Sequence, residues 1–328
     1  SQELADTIAA NMPDYRVICF HSRLISTDRA SIERELTELV GKKSTCEKRD
    51  KLIVVGTQVL EQSLDIDFDY MITELCPMDL LLQRSGRLHR HNRTRPDKLS
   101  EPELCVLIPE DFSKSVYSGW ILTQTEKYLP DKLVIPGCIP KLVGAVYSEP
   151  DNDERQTAAY DKYKKKQKAK KDRAEKYCIK STIIKVNNAT LVDIIDRRQL
   201  NNDSDGEAAV RDGQETIETL VLVKTSDTEY SLFSRDAVFD ITSVPDNAQA
   251  KLIAKQRLRL PAFFSKSYNF GKTVEILANA MPQAWRNAKW LKGEILLLLD
   301  GNNEISLLGR TYKYSTERGF EEIKEEES

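Results

Sequence analysis

The sequence contains few of the residues that build metal sites and disulfide frameworks. Its 328 residues include only six cysteines, scattered without a C-x-x-C pair, and three histidines. A structural zinc site or a set of stapling disulfides is therefore not expected, and free thiols in a reducing compartment are the simpler interpretation. We accordingly predict a cytoplasmic protein with no metal site of its own.

Long hydrophobic runs and a strong net charge are also missing. The longest aliphatic run, residues 295–299, is far shorter than the roughly 20 residues that cross a bilayer, so no membrane contact is predicted. The net charge of -3 excludes a uniformly basic chain, and any binding of nucleic acid must come from local patches. What is present, 40% hydrophobic and 31% charged residues, is typical of a globular protein.

Residues 1–110 alternate helical and strand patterns. Helices are predicted at 2–11 and 27–40, and the strand candidates are the short apolar runs at 16–21, 51–56, 70–75 and 105–109. Uninterrupted β-branched strands separated by helices are typical of a parallel sheet covered on both faces, so the fold class is α/β. Ligands of such sheets bind beyond the carboxyl ends of the strands, where residues 21–23 and 57–58 lie.

The rest of the chain has a different texture. Residues 111–180 predict a linker that is irregular over 111–144 and then forms a Lys-rich helix over 160–177. We interpret this helix as a solvated face, and a surface that tracks the phosphates of nucleic acid is the alternative. Residues 181–328 alternate strands, turns and two helices, which predicts a small β-rich α+β domain.

The most informative segment is residues 81–91, L-L-Q-R-S-G-R-L-H-R-H. Gln83, Arg87 and Arg90 share one face if the segment is helical, because they follow one another at spacings of four and three residues. Arginine binds phosphate bidentately and keeps its charge, so such a face suits a polyphosphate. Arg84 points away from this face and is predicted to be structural.

Two neighbouring motifs resemble those of a known family of nucleotide-driven motors. Residues 54–69, V-V-G-T-Q-V-L-E-Q-S-L-D-I-D-F-D, and residues 80–93 resemble motifs V and VI of superfamily 2 helicases. This version is most similar to the CRISPR-associated helicase–nuclease that the Cascade surveillance complex recruits in type I systems. Further segments that fit this family lie at 20–23, 28–29, 32–35, 209–212, 258–261 and 296–312.

The resemblance implies the C-terminal part of an ATP-dependent single-stranded-DNA translocase with nuclease activity in antiviral interference. Its fold would be an incomplete RecA-like parallel sheet without the first strand (1–110), a helical linker (111–180) and an accessory domain (181–328). The implied partners are single-stranded DNA, Cascade, and the N-terminal nuclease and first RecA-like domain of the same protein. That first motor domain would hold most of the ATP and its Mg, so this chain alone is expected to be inactive.

One segment imitates a phosphate-binding loop. Residues 271–273 read G-K-T, but a Walker A loop needs its first glycine at position 266, which is Lys266. Without that glycine the backbone cannot form the phosphate cradle, and we predict that the match is a coincidence.

The resemblance also assigns roles to five residues around the nucleotide. Arg87 and Arg90 would be arginine fingers that stabilise charge on the transferring γ-phosphate. Gln83 would orient the γ-phosphate or the attacking water. Either Asp65 or Asp67 would contact the ribose or sense the nucleotide, and the spacing leaves both possible.

Five further residues are assigned to the DNA path. Thr57 and Gln58 would hold the backbone of single-stranded DNA through hydroxyl, amide and main-chain N–H groups, which position a strand without reading its sequence. His21, Ser22 and Arg23 would continue the same path. The alternative for this second group is an ordinary loop that satisfies its own backbone.

Two alternatives to this family remain. One is a helicase of another superfamily 2 branch, for DNA or RNA, and the other is a non-catalytic nucleic-acid-binding module that keeps the fold.

The three tryptophans have two possible roles: stacking on bases or packing in hydrophobic cores. The sequence does not separate these roles for Trp120, Trp285 and Trp290.

Overall fold

The fold is known from a computed structural model that describes residues 1–61, 64–151, 155, 157–175 and 216–323. The chain divides into two compact units. The first contains residues 1–72, 83–105 and 214–328, and the second contains residues 73–82 and 106–213. The predicted boundary at 180/181 and the 209–212 segment lie outside the described residues, and the predicted three-domain division stays a prediction.

Helices and strands alternate along most of the described chain. The helices are α1 Gln2–Asn11, α2 Ser26–Val40, α3 Cys46–Arg49, α4 Met78–Ser85, α5 Gly119–Lys127, α6 Ile139–Tyr147, α7 Ala158–Glu175, α8 Asn247–Ala254 and α9 Ser267–Ala280. The strands are β1 Arg16–Phe20, β2 Leu52–Gly56, β3 Tyr70–Glu74, β4 Glu103–Leu107, β5 Glu218–Lys224, β6 Glu229–Ser231, β7 Val238–Asp240, β8 Arg257–Arg259, β9 Leu296–Leu299, β10 Glu304–Leu307, β11 Arg310–Ser315 and β12 Gly319–Glu322. Where the chain is described, it holds no helix that is both long and apolar enough to span a membrane.

The N-terminal part of the first unit contains a parallel strand pair. β1 pairs with β2 from Arg16 opposite Leu52 to Phe20 opposite Gly56. Leu36 of α2 packs into the same buried cluster as Phe20. The predicted α/β class with parallel strands is confirmed, and both strands end level at one edge of the sheet. Within the described residues β3 pairs with β4 in a separate two-stranded sheet, so the four strands do not form one continuous ladder.

The C-terminal part of the first unit is built around β5. This strand pairs antiparallel with β6 and β8 and parallel with β9, while β7 pairs with β6. Val221 and Val223 of β5 face one hydrophobic cluster, whereas Leu220 and Leu222 face another. A strand that is buried on both faces needs apolar residues throughout, which explains the unbroken L-V-L-V run.

The three-stranded antiparallel sheet β10–β11–β12 contacts the start of α2. The backbone N–H of Ile25 donates to the hydroxyl oxygen of Tyr314 at 3.0 Å, and that hydroxyl donates to Asp28 Oδ2 at 2.6 Å. Ile25 is fully buried in the cluster that contains Tyr314. Burial raises the pKa of the Asp28 carboxyl above its usual value. The polar pair therefore fixes the N-terminal turn of α2 against the C-terminal sheet.

The second unit is mainly helical. Its core combines Trp120 of α5, Leu142 and Val146 of α6 and Tyr160 of α7, with the rings of Trp120 and Tyr160 meeting edge to face at 4.9 Å. The prediction of irregular structure over 111–144 is therefore wrong. Prolines in this stretch conceal the helices, and one of them lies in the first turn of α6, where a missing N–H costs little.

The Lys-rich helix predicted over 160–177 is present as α7 within the described residues. Tyr160 and Tyr163 anchor its N-terminal turns to the core of the second unit. The lysines at 162, 165, 166 and 168 are exposed. The N-terminal turns of the helix are thus held by the core, and these four lysines face solvent, which fits both the solvated interpretation and the phosphate-tracking alternative.

Candidate functional site

The arginine motif leaves the helix earlier than expected. α4 ends at Ser85, so Gln83 lies in its last turn while Arg87 and Arg90 follow in a non-helical segment. The prediction that these three side chains share a helical face is wrong. The cause is a backbone pairing, because the N–H of Phe68 donates to the carbonyl of Arg87 at 2.8 Å and draws the chain into an extended path.

A buried carboxylate joins the two motifs. Glu61 ends the 3-10 turn Gln58–Glu61 and is 6% exposed. Its Oε1 accepts from Arg84 Nε at 2.8 Å and from Arg84 Nη2 at 2.6 Å. The backbone carbonyl of Glu61 accepts from Arg87 Nη2 at 3.2 Å. Arg84 therefore has the structural environment predicted for it, and the same turn fixes one end of Arg87.

Arg87 and Arg90 lie side by side in unlike surroundings. Arg87 is half-buried, and its Nε is buried without a hydrogen-bond partner among the described residues. Burial, and then the charge of Arg90, lower the pKa of the Arg87 guanidinium, which nevertheless stays charged near neutral pH. Arg90 is exposed and donates from Nε to Asp65 Oδ1 at 2.8 Å. The pair leaves a partly desolvated positive charge at the surface, where an anion would be stabilised.

The two candidate aspartates differ sharply in exposure. The side chain of Asp65 is 53% exposed, and its hydrogen bond to Arg90 lowers the pKa of the carboxyl. Asp67 is fully buried and accepts from the backbone N–H groups of Arg90 and His91 at 2.8 and 3.2 Å. Both Asp67 oxygens also accept from Arg95 Nη2, at 3.0 and 2.7 Å. Of the two, Asp65 is the carboxylate that a ligand can reach.

Asp67 belongs to a set of charges that the sequence analysis missed, here called the buried arginine cluster: Arg49, Arg93, Arg95, Asp67 and Asp69. Arg93 Nε lies 2.7 Å from Asp67 Oδ2, and Arg49 Nε donates to Asp69 Oδ2 at 3.0 Å. Arg95 bonds to both aspartates. The available signal was the D-x-D spacing of the first motif beside R-x-R after the second, which matches two acids to two bases.

Thr57 and Gln58 occupy the end of β2 as predicted. The backbone N–H of Thr57 donates to the carbonyl of Phe20 at 3.3 Å, which ties the ends of the two parallel strands together. A Cβ atom at Gly56 would lie 2.2 Å from Leu60 Cδ1, so a larger residue there would require the Leu60 side chain to move. Thr57 is half-buried and Gln58 is exposed at this edge.

The His21–Arg23 loop follows β1 at the same edge but is partly covered. His21 is 4% exposed, and its Nδ1 accepts from the backbone N–H of Arg23 at 3.1 Å. Ser22 is half-buried and Arg23 is exposed. The N–H of Phe320 donates to the Arg23 carbonyl at 2.8 Å, and Gly319 adopts φ +65 beside it. This contact with the C-terminal sheet could not be predicted from the sequence, because its two partners are about 300 residues apart.

The G-K-T segment and the three tryptophans differ in burial. Residues 271–273 lie inside α9, and Thr273 is fully buried, so the G-K-T match is not a phosphate loop and that prediction is confirmed. Trp120 and Trp285 are core residues, at 6% and 0% exposed. Trp290 is 42% exposed.

Comparison with known proteins identifies both ends of the chain with one family. Residues 1–93 match the family model for the C-terminal region of the CRISPR-associated nuclease/helicase Cas3, and residues 211–320 match that for the Cas3 C-terminal domain. The chain is 37% identical to the CRISPR-associated nuclease/helicase Cas3 of Streptococcus thermophilus, over 97% of the chain and 36% of that relative. It is also 37% identical to the CRISPR-associated endonuclease/helicase Cas3 of Thermus thermophilus, over 49% of the chain and 18% of the relative.

Solved structures share the fold. The crystal structure of T. fusca Cas3-ATP has a TM-score of 0.75 and 23% identity, covering 97% of this chain and 37% of that one. A chain from the CRISPR RNA-guided surveillance complex in its pre-nicking state has a TM-score of 0.70 and 24% identity, over 97% of this chain and 39% of that one. The chain thus spans about a third of the length of these proteins. It belongs to the Cas3 helicase–nuclease family and corresponds to the C-terminal part of its members.

Proposed function

We propose that this chain is the second motor half and accessory region of an ATP-dependent single-stranded-DNA translocase that serves a nuclease in type I CRISPR interference. The Cas3 relatives are described as nuclease/helicases, and this chain shares 37% of its aligned residues with one of them over nearly its whole length. On this proposal the first motor domain and the nuclease domain are partners within the same protein, and the Cascade complex recruits it. The chain alone does not turn over ATP.

The observation that carries the proposal is the environment of Arg87. Among the described residues its buried Nε has no hydrogen-bond partner and, unlike Arg93, Arg87 has no carboxylate within ion-pair distance, which is costly. A γ-phosphate supplies the acceptors that it lacks. Arg90 adds a second guanidinium, and Gln83 is exposed at the end of α4, where its amide orients the γ-phosphate or the attacking water. Arginine fingers of this kind contribute about 10³–10⁵ in rate where measured.

The nucleotide would be shared with the first motor domain, which would bind Mg and most of the phosphate oxygens. On this side Asp65 is the proposed ribose contact or nucleotide sensor, because it is exposed and bonded to Arg90. Asp67 supports the site from beneath through the backbone N–H of Arg90. Binding of ATP at Arg90 would compete with the Arg90–Asp65 pair.

Single-stranded DNA would cross the edge where β1 and β2 end. Thr57 and Gln58 contact its backbone, and Ser22 and Arg23 continue the path. His21 positions this loop from below, since its buried ring accepts from the Arg23 N–H. Contacts of this type hold a strand without selecting a sequence, as a translocase requires.

The decisive test is ATP turnover with single-stranded DNA by this chain mixed with the separately produced N-terminal part of the protein. Turnover should need both pieces. Arg87→Ala should lower it by about 10³ or more, and Arg87→Lys should restore little, because an ammonium lacks the fork. The matched control is Arg34→Ala, which changes an exposed arginine of α2 whose Nε donates to the carbonyl of Ala30 at 3.4 Å.

Each result bears on a different part of the proposal. DNA-stimulated turnover by this chain alone would overturn its inactivity in isolation. Full activity of Arg87→Ala in the mixture would overturn the arginine-finger role. If the mixture is inactive, the same variants are compared in the single full-length chain, and inactivity there would favour a nucleic-acid-binding module.

A further inference from the structure

One tryptophan stands apart from the other two. Trp290 is 42% exposed, yet its ring is not free to turn, because Nε1 donates to Asn247 Oδ1 at 2.7 Å. Asn247 is the first residue of α8, so the acceptor of this hydrogen bond belongs to a helix. An exposed indole fixed in this way loses little conformational freedom when a flat ligand stacks on it.

Positive charge surrounds this ring. The Nζ atoms of Lys251 and Lys289 lie 5.3 and 5.8 Å from the centroid of Trp290. Lys255 follows Lys251 by one helical turn and is also exposed. None of the three lysines forms an ion pair with a carboxylate in the described part of the chain. The surface therefore carries uncompensated charge beside an aromatic face.

We propose that Trp290, with Lys251, Lys255 and Lys289, forms a second contact for single-stranded nucleic acid on the C-terminal part of the first unit. The ammonium groups of Lys251 and Lys289 lie over the indole in the free chain, and a base stacks there as they turn to pair with the flanking phosphates. Stacking tolerates any base, because each base has a π-face. This patch is named the Trp290 platform.

Charge and exposure favour an unpaired strand over other occupants. Duplex bases are already stacked, so the indole gains nothing from them. An acidic protein surface would satisfy the lysines but would not use the anchored ring. Trp290 differs from the exposed Tyr268, whose ring has one ammonium nearby, that of Lys266 at 5.9 Å.

The Trp290 platform extends the proposed function, since it gives a translocating strand a contact outside the motor edge, but its test is independent. Binding of a fluorescein-labelled oligo(dT) to the full 328-residue chain is measured by anisotropy without ATP and without the N-terminal part of the protein. Trp290→Ala should weaken binding on the order of 10- to 100-fold, whereas Trp290→Phe should retain most of it. Tyr268→Ala is the matched control and should bind as the wild-type chain does.

Two further readouts separate stacking from general attraction. On irradiation, an oligonucleotide that carries 5-iododeoxyuridine should crosslink to the peptide that contains Trp290. Lys251→Ala with Lys289→Ala should reduce the slope of log affinity against log salt by about 1.4, from roughly 0.7 per phosphate contact on a single strand. An oligo(rU) arm tests RNA, which should bind comparably because stacking does not use the 2′-hydroxyl.

The proposal is overturned if Trp290→Ala binds oligo(dT) as tightly as the wild-type chain, or if the crosslink maps elsewhere. The proposal is also overturned if Trp290→Ala weakens binding to a blunt duplex as much as binding to oligo(dT). The indole would then not act by stacking on an unpaired base. Arg34→Ala, which changes an exposed residue of α2 outside both proposed sites, should bind oligo(dT) normally in this assay. Loss of turnover in Arg87→Ala with unchanged binding by Trp290→Ala would therefore remove the platform and leave the motor proposal standing.

Discussion

The buried arginine cluster and the Arg87–Arg90 pair use the same side chain in opposite ways within one short stretch. In the cluster, Arg93 and Arg95 are 8% and 5% exposed, and both form ion pairs with Asp67, which is fully buried, although Arg93 Nε and Nη1 make no hydrogen bond among the described residues. Arg87 is half-buried beside another arginine, and among the described residues its Nε has no hydrogen-bond partner and no carboxylate lies within ion-pair distance of it. The Arg87 guanidinium therefore has neither a full set of hydrogen-bond partners nor full contact with water.

This difference in pairing distinguishes arginines that stabilise the fold from arginines that are available to a ligand. Buried charges are tolerated when partners satisfy them, and removing one partner exposes the full desolvation penalty. A charged group that is partly desolvated and left short of partners costs stability, so such groups concentrate where a ligand completes them. By this reasoning the cluster holds the segment in place, and we propose that the Arg87–Arg90 pair is kept for an anion.

The largest effect on stability should come from the centre of the cluster. Asp67→Ala leaves the buried Arg93 without its carboxylate, leaves Arg95 with Asp69 alone, and removes the acceptor of the Arg90 and His91 N–H groups. We expect a loss of about 3–5 kcal/mol in the free energy of unfolding. Urea unfolding followed by circular dichroism measures it.

Asp65→Ala is the matched control, two residues away. Its side chain is 53% exposed and its pair with Arg90 lies in water, so the unfolding midpoint should change little, because exposed ion pairs contribute little. If the two aspartate variants unfold alike, the contrast between the two arginine groups is wrong.

A smaller effect should appear in the pH dependence of stability. Burial, and then the charge of Arg23, lower the pKa of His21 below its value of 6.5 in the unfolded chain. The unfolded chain therefore binds a proton more readily, and the stability that His21 contributes is present above about pH 6.5 and is lost as the pH falls below it. His21→Asn keeps an acceptor for the Arg23 N–H but cannot titrate.

The measurement is the urea midpoint at pH 7.5 and pH 5.5 for both chains. The wild-type chain should lose more stability on acidification than His21→Asn. Asp28, whose pKa burial raises, contributes the opposite slope, because its stabilisation is lost as the pH rises. That contribution cancels, since both chains carry Asp28. Equal losses in the two chains would mean that His21 is not buried as described.

Much of the fold could be predicted from local pattern alone. The bounds of α1, β1 and β2 follow apolar periodicity and differ from prediction by at most one residue. The helices α5 and α6 were missed, because Pro130 and Pro136 between them and Pro140 in the first turn of α6 suggest an irregular chain. None of the three lies in a helix interior, where it would break the backbone bonding.

The candidate site was predictable in composition but not in environment. Sequence motifs predicted Gln83, Arg87, Arg90 and either Asp65 or Asp67 as candidates, and the parallel pairing brings residues 21–23 and 57–58 to one edge. The end of α4 at Ser85 was not predictable, because it depends on pairing with Phe68. Burial of Asp67 by arginines up to 28 residues away likewise needs the folded chain.

The most direct test of this account is the free energy of unfolding of Arg87→Ala compared with that of Arg95→Ala. Arg95 bonds to both aspartates of the cluster, so its loss should cost about 3–5 kcal/mol. Arg87→Ala loses one hydrogen bond to the Glu61 carbonyl but relieves a desolvated charge, and should lie within about 1 kcal/mol of the wild-type value. Losses of equal size would contradict the account, because Arg87 would then be a structural residue rather than one kept for a ligand.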